Sequence, residues 1–163
     1  MKRVMAMATL AALGLALETT AAQKKGGHMA HRATGTFEVK VEPIPDESKE
    51  DRPSLPRFTL DKQYRGDLEG TSQGEMMTVN GTMEGSAAAV AIERFSGSLK
   101  GRKGSFALVH SGTMRRGGEF SMIIRVVPDS GTEQLTGLTG TLEIVIEGNV
   151  HHYNFDFGLP ESQ

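Results

Sequence analysis

The sequence predicts an all-β fold, a single small eight-stranded antiparallel β-barrel. Three observations predict it. Short runs along the chain alternate apolar and polar side chains, which is the period of a half-buried strand. The runs are joined by brief connections rich in Gly, Pro and Asn, and no stretch shows helical periodicity with caps. Eight such strands in an open sheet would leave two long edges unpaired, and closing the sheet removes them.

Composition narrows the class further. The 163 residues suit one domain, and the absence of Cys excludes disulfides, thiol catalysis and Cys-based metal sites. A formal charge of −2 without a basic field argues against a nucleic-acid partner. Residues 1–23 read as a signal peptide: Lys2 and Arg3 are basic, Val4 to Leu17 are mostly apolar, and Thr20-Ala21-Ala22 offers small residues for cleavage. Its apolar run is short for a membrane helix, so no integral membrane span is expected once it is removed. The expected location is then secreted or periplasmic, or cytoplasmic if translation starts at Met29. Residues 24–32 are expected as flexible linker, 33–159 as the barrel and 160–163 as a tail. His28 and His31 are read as tail residues rather than metal ligands.

The first strand is Thr34 to Glu42, with Phe37, Val39 and Val41 on one face. Pro43 and Pro45 end it, since proline has no N–H for a ladder. The charged run Asp46 to Arg52 reads as a solvated loop, with a flap over a barrel mouth as the alternative. Phe58 to Gly66 and Gly70 to Val79 form the next pair, expected to turn near Leu68-Glu69. That register puts Phe58, Leu60, Met77 and Val79 on one face, Lys62 opposite Glu75, and Tyr64 opposite Gln73.

Ala87 to Met114 is the central hairpin. A turn at Gly101-Arg102 makes Phe95 face Leu108, Ala91 face Gly112, Ala89 face Met114 and Glu93 face His110. A carboxylate and an imidazole are thus expected side by side on an apolar face. Phe120, Met122, Ile124 and Val126 form the apolar face of the following strand, and a Gly bulge after Arg115-Arg116 is expected to bring that face beside His110 and Leu108. After the turn cluster at Pro128 to Thr132, a last hairpin across Gly148-Asn149 pairs Leu142 with Phe155, Ile144 with Tyr153 and Ile146 with His151.

The wording of these strands is itself informative. ATGTFEVK, GDLEGTSQGEM, GSAAAVAIERFSGSLKGRKGSFALVHSG and VVPDSGTEQLTGLTG resemble the bacterial domain-of-unknown-function family 3224, over Ala33 to Leu159. The resemblance implies a small antiparallel barrel grouped with the allene oxide cyclase-like barrels. It also implies that Glu75, Glu93 and His110 sit at recurring polar positions of the family. The plant cyclases bind a fatty-acid epoxide in such a barrel, but fold does not carry function with it. The chain has no Trp where relatives often have one, which weakens any stacked-aromatic ligand site.

The candidate ligand-binding residues are Glu75, Glu93, His110, Tyr64, Lys62 and Tyr153, with Glu93 and His110 as the candidate catalytic pair. A carboxylate beside an imidazole fixes its tautomer and supports acid–base chemistry; the same pair also satisfies two polar groups inside a barrel and nothing more. Lys62 with Glu75 reads either as a pocket ion pair or as a rim pair. No metal-ligand spacing, nucleophile elbow, phosphate loop or dinucleotide fingerprint is present, and neither metal nor cofactor is expected. Two functions follow: a module binding a small, partly apolar ligand, or an isomerase- or cyclase-like enzyme using the Glu–His pair. Outward Val90, Ile92 and Val109 leave a homo-oligomer open as a third role.

Overall fold

The computed structural model describes residues 29–46 and 55–160. The expected signal peptide, the linker as far as residue 28, the charged loop after Asp46 and residues 161–163 of the tail lie outside the described residues. Eight strands follow in order: β1 Met29–Ile44, β2 Arg57–Gly66, β3 Leu68–Asn80, β4 Ala87–Leu99, β5 Arg102–Arg115, β6 Glu119–Val126, β7 Thr139–Glu147 and β8 Val150–Leu159. Each pairs antiparallel with the next, and β8 returns to β1, closing the barrel. Among the described residues no helix is long and apolar enough to cross a membrane.

β1 starts earlier than its alternation suggested. Met29 pairs with Leu159 and Arg32 with Asp156, so residues 29–32 belong to the ladder with β8 rather than to a linker. Arg32 and Asp156 add a two-point ion pair on the outer wall, with both contacts at 2.7 Å.

The barrel has one filled end and one open end. At the filled end Leu68, Leu99, Leu135, Leu138 and Leu159 are buried, and the connection from β6 to β7 folds across it through a single 3-10 turn, Glu133–Leu135. Thr132 fastens that connection to β5: its N–H donates to the Ser105 carbonyl and its Oγ1 accepts from the Ser105 N–H, both at 2.9 Å. Above this plug the rings of Tyr64, Phe95, Phe106 and Phe155 pack in succession, with neighbouring centroids 5.0–5.8 Å apart. Asp67 ties the turns of this end together, accepting from the Thr34 N–H at 2.9 Å while its carbonyl accepts from the Lys100 N–H at 2.7 Å.

Two registers differ from the expected ones, with unequal consequences. In the central hairpin the turn is Lys100-Gly101, both at positive φ, and Leu99 pairs with Arg102. Phe95 therefore faces Phe106, Ala91 faces His110 and Glu93 faces Leu108. The shift is an even number of residues, so every side chain keeps its face.

Between β2 and β3 the shift is odd. The turn closes at Gly66 and Asp67, with Gly66 at φ +109°, and β3 begins at Leu68. Lys62 consequently pairs with Ser72, Leu60 with Gly74 and Tyr64 with Gly70. An odd slip turns every side chain of a strand over. Glu75, Gln73, Met77 and Val79 therefore stand on the outer wall, while Ser72, Met76 and Thr78 face the lumen side.

The other expected pairings stand. Residues 116–118 form the loop from β5 to β6, with Gly117 and Gly118 at positive φ, and His110 pairs with Ile124 and Leu108 with Val126. The last hairpin pairs Leu142 with Phe155, Ile144 with Tyr153 and Ile146 with His151.

Candidate functional site

β4 places Glu93 on the lumen side, beneath the open end of the barrel, and its neighbours deliver four donors to it. From β2, Lys62 Nζ donates to Glu93 Oε1 at 2.8 Å and the Tyr64 hydroxyl donates to the same oxygen at 3.3 Å. From β3, Ser72 Oγ donates to Oε2 at 2.8 Å. From β5, His110 Nε2 lies 3.0 Å from Oε1. His110 sits diagonally across the hairpin rather than directly opposite, a separation that long side chains span. Glu93 is 1% exposed, Lys62 7% and His110 8%.

Burial alone would raise the Glu93 carboxyl, but the His110 hydrogen bond and the Lys62 charge outweigh it and hold the group at about 2. It is an anion at neutral pH with both oxygens occupied. His110 must then donate through Nε2–H, which leaves Nδ1 as the free ring nitrogen, since no described residue bonds it. Lys62 has three N–H groups; one serves Glu93, and its ammonium lies 5.1 Å from the centroid of the Phe37 ring. Burial and the nearby Glu93 charge push the Tyr64 phenol well above its ordinary value, so it stays a neutral donor.

Lys62 and His110 form the floor of a cavity of about 690 Å3 that occupies the open end. Its walls are apolar: Leu60, Phe58 and Met76 on one side, Ala89 and Ala91 on the next, Met122 and Ile144 beyond them. The two alanines of β4 and Gly112 of β5 leave the space that larger side chains would fill. His151 adds one further polar group, its ring 5.1 Å from that of Phe37. The cavity thus joins an apolar barrel wall to a polar floor with donors to spare.

Four of the six candidate ligand residues meet in this cluster: Glu93, His110, Lys62 and Tyr64. The other two do not. Glu75 bonds Arg57 at 2.6 Å on the outer wall, both side chains at least half exposed, because the odd register of β3 turns it outward. Lys62 therefore pairs with Glu93, not with Glu75. Tyr153 is buried toward the filled end, where its hydroxyl accepts from the Leu68 N–H at 2.7 Å and packs over Gly35. A Cβ on Gly35 would lie 2.5 Å from that hydroxyl, so the close approach requires glycine there. Burial raises the Tyr153 phenol to about 12.

Ser72 is the member of the cluster that the sequence reading lacks. The turn at Gly66 and Asp67 is tighter than one at Leu68-Glu69 and brings Ser72 opposite Lys62, which the alternation of β3 alone does not signal.

Comparison with known proteins places the chain in a family. Residues 33–157 match the family model described as a protein of unknown function, DUF3224. A crystal structure from Shewanella oneidensis MR-1, of a protein with unknown function from the DUF3224 family, is similar at 42% sequence identity. The likeness covers 83% of this chain and 100% of that one, with a TM-score of 0.73. Against curated proteins the chain has no match.

Proposed function

Because the chain belongs to the DUF3224 family, which carries no assigned activity, we propose from its own geometry that it is a binding module for a small, partly apolar molecule. The ligand occupies the open end of the barrel, with its polar end against Lys62 and His110. The observation that carries this reading is the cavity of about 690 Å3, whose apolar walls end on a buried ammonium and a ring nitrogen. Pockets of this size and lining, with a few convergent polar groups, are the usual form of small-ligand sites. The spare N–H groups of Lys62 call for an acceptor on the ligand, such as a carbonyl, carboxylate or sulfonate oxygen.

The enzyme reading has one observation in its favour, the direct Glu93–His110 hydrogen bond below a free Nδ1. In that reading His110 would exchange a proton with substrate, and Glu93 would act as its positioning partner. Glu93 itself is a poor base, because four donors and a value of about 2 leave it little affinity for a proton. Binding is therefore the better supported function.

The test is a fluorescence titration with 1-anilinonaphthalene-8-sulfonate, which has an apolar body and a sulfonate head. Saturable binding to the folded wild type is expected. Ala89→Phe, which projects a ring into the cavity, should weaken it at least tenfold, and Ile92→Ala on the outer wall should leave it unchanged. Binding that survives Ala89→Phe but is lost with Ile92→Ala would move the site to the outer wall and end the proposal.

A further inference from the structure

The outer wall of the barrel is of two kinds. Around β1, β2 and β8 it carries ion pairs: Lys40 with Glu42, Arg65 with Glu38 and Arg32 with Asp156. Across β3 to β6 it carries exposed aliphatic side chains instead. Ile92 is 62% exposed, and Met77, Val90, Val109 and Ile123 are each exposed by two-fifths or more. Single exposed apolar residues are ordinary on a protein surface, whereas a contiguous group on one wall marks a contact surface.

The registers arrange this wall in two rows that cross the four strands. One row reads Glu75, Ile92, Val109, Arg125; the next, nearer the open end, reads Met77, Val90, Ser111, Ile123. The first row is apolar at its centre and oppositely charged at its ends. Arg57 bonds Glu75 through Oε2 and leaves Oε1 open. Arg125 has no bonded partner among the described residues. Arg94 stands one row further toward the filled end, at the margin of the apolar group.

We propose that this wall is a homodimer interface, on which a second copy of the chain packs about a two-fold axis running along the strands between β4 and β5. The occupant is argued from the order of the first row. A two-fold axis so placed lays Ile92 over the second copy's Val109, and it brings Glu75 to the second copy's Arg125 and Arg125 to the second copy's Glu75. Any apolar partner could meet the centre of the row. A run of charges that complements itself under a two-fold rotation singles out another copy, because a two-fold interface uses the same patch on both subunits. Facing sheets pack about 10 Å apart with their strands aligned. Ile92 and Val109 fill that gap. The barrel walls curve apart on either side of it, and Glu and Arg are side chains long enough to reach across the wider space.

The contact is one sheet face on another, at the small end of stable interfaces, so a dissociation constant on the order of micromolar is expected. Both rows point away from the lumen, and the dimer therefore stands or falls independently of the binding function. The test is sedimentation velocity of the full-length protein at about 200 μM, well above that constant. Wild type should sediment as a dimer. Glu75→Arg sets Arg against Arg at both ends of the interface, and Arg125→Glu sets Glu against Glu; each should weaken association at least about tenfold. Both positions are exposed, so the reversals leave the core packing intact.

An equimolar mixture of the two variants should recover the dimer, since a pair made of one of each has opposite charges at both ends. The doubly exchanged chain, Glu75→Arg with Arg125→Glu, should dimerise like the wild type for the same reason. A wild type that stays monomeric at this concentration would overturn the interface. A dimer that survives both single reversals would overturn the two-fold arrangement, as would association lost in the single variants and regained neither by mixing nor by the double exchange.

Discussion

Replacing Glu93 by Gln tests the centre of the barrel most directly. The substitution keeps shape and, with the amide oxygen in place of Oε1, an acceptor for the Tyr64 and His110 donors, while the amide nitrogen faces the Ser72 hydroxyl. It removes the charge opposite Lys62. The Lys62 ammonium is 7% exposed and 2.8 Å from the carboxylate, so Gln leaves a buried cation without a counter-charge. Breaking a buried pair in this way costs about 3–5 kcal/mol. The carboxyl gives an independent figure: the drop from an ordinary 4.5 to about 2 corresponds to about 3 kcal/mol of stabilisation of the anion. The two routes agree, and for a domain of this length they correspond to a fall in Tm of roughly 10–20 °C. The assay is urea and thermal unfolding at neutral pH, followed by circular dichroism. The decisive comparison is the double variant Lys62→Met with Glu93→Gln. It removes both charges, so it should be more stable than Glu93→Gln alone by at least about 2 kcal/mol, although it carries one more change. A double variant no more stable than that single one would refute the view that Lys62 depends on Glu93 for its burial.

Acid unfolding follows from the same group. The Glu93 carboxyl is depressed in the folded state, so its contribution is complete above pH 4.5 and is lost as pH falls toward about 2. Wild type should lose about 3 kcal/mol across that window beyond what Glu93→Gln loses. Parallel stability–pH curves for the two proteins would remove the assignment. The tyrosines report on the alkaline side: burial raises both, Tyr153 to about 12 and Tyr64 well above 10, and the chain has two Tyr and no Trp. Ultraviolet titration of the folded protein should therefore show no phenolate absorbance below about pH 11, against about 10 for the unfolded chain. A transition near 10 with the fold intact would mean that one ring is solvated.

How much of the site could be read from the chain was decided by parity rather than by exact register. The expected turn of the central hairpin was two residues out in its pairing, yet Glu93 and His110 still share the lumen face, because an even slip preserves the alternation. The last hairpin has Gly148-Asn149 between two clean alternations, and its pairing is as expected. The β2–β3 connection offered no such anchor. Apolar residues stand at both parities of β3, Met76 at one and Met77 with Val79 at the other, so alternation alone does not say which set faces inward. The choice falls to the turn, and Gly66 at φ +109° allows a connection too tight to infer from composition.

That one turn also decides the electrostatics. With Glu75 inside, Lys62 would have a partner on the adjacent strand, and Glu93 would be free to act as a base toward a ligand. With Ser72 inside, Lys62 must reach across to Glu93, which quenches the carboxylate and gathers four strands, β2 to β5, around one anion. The floor of the cavity then presents donors rather than a base. This is why the arrangement favours holding an acceptor-bearing ligand over abstracting a proton from one.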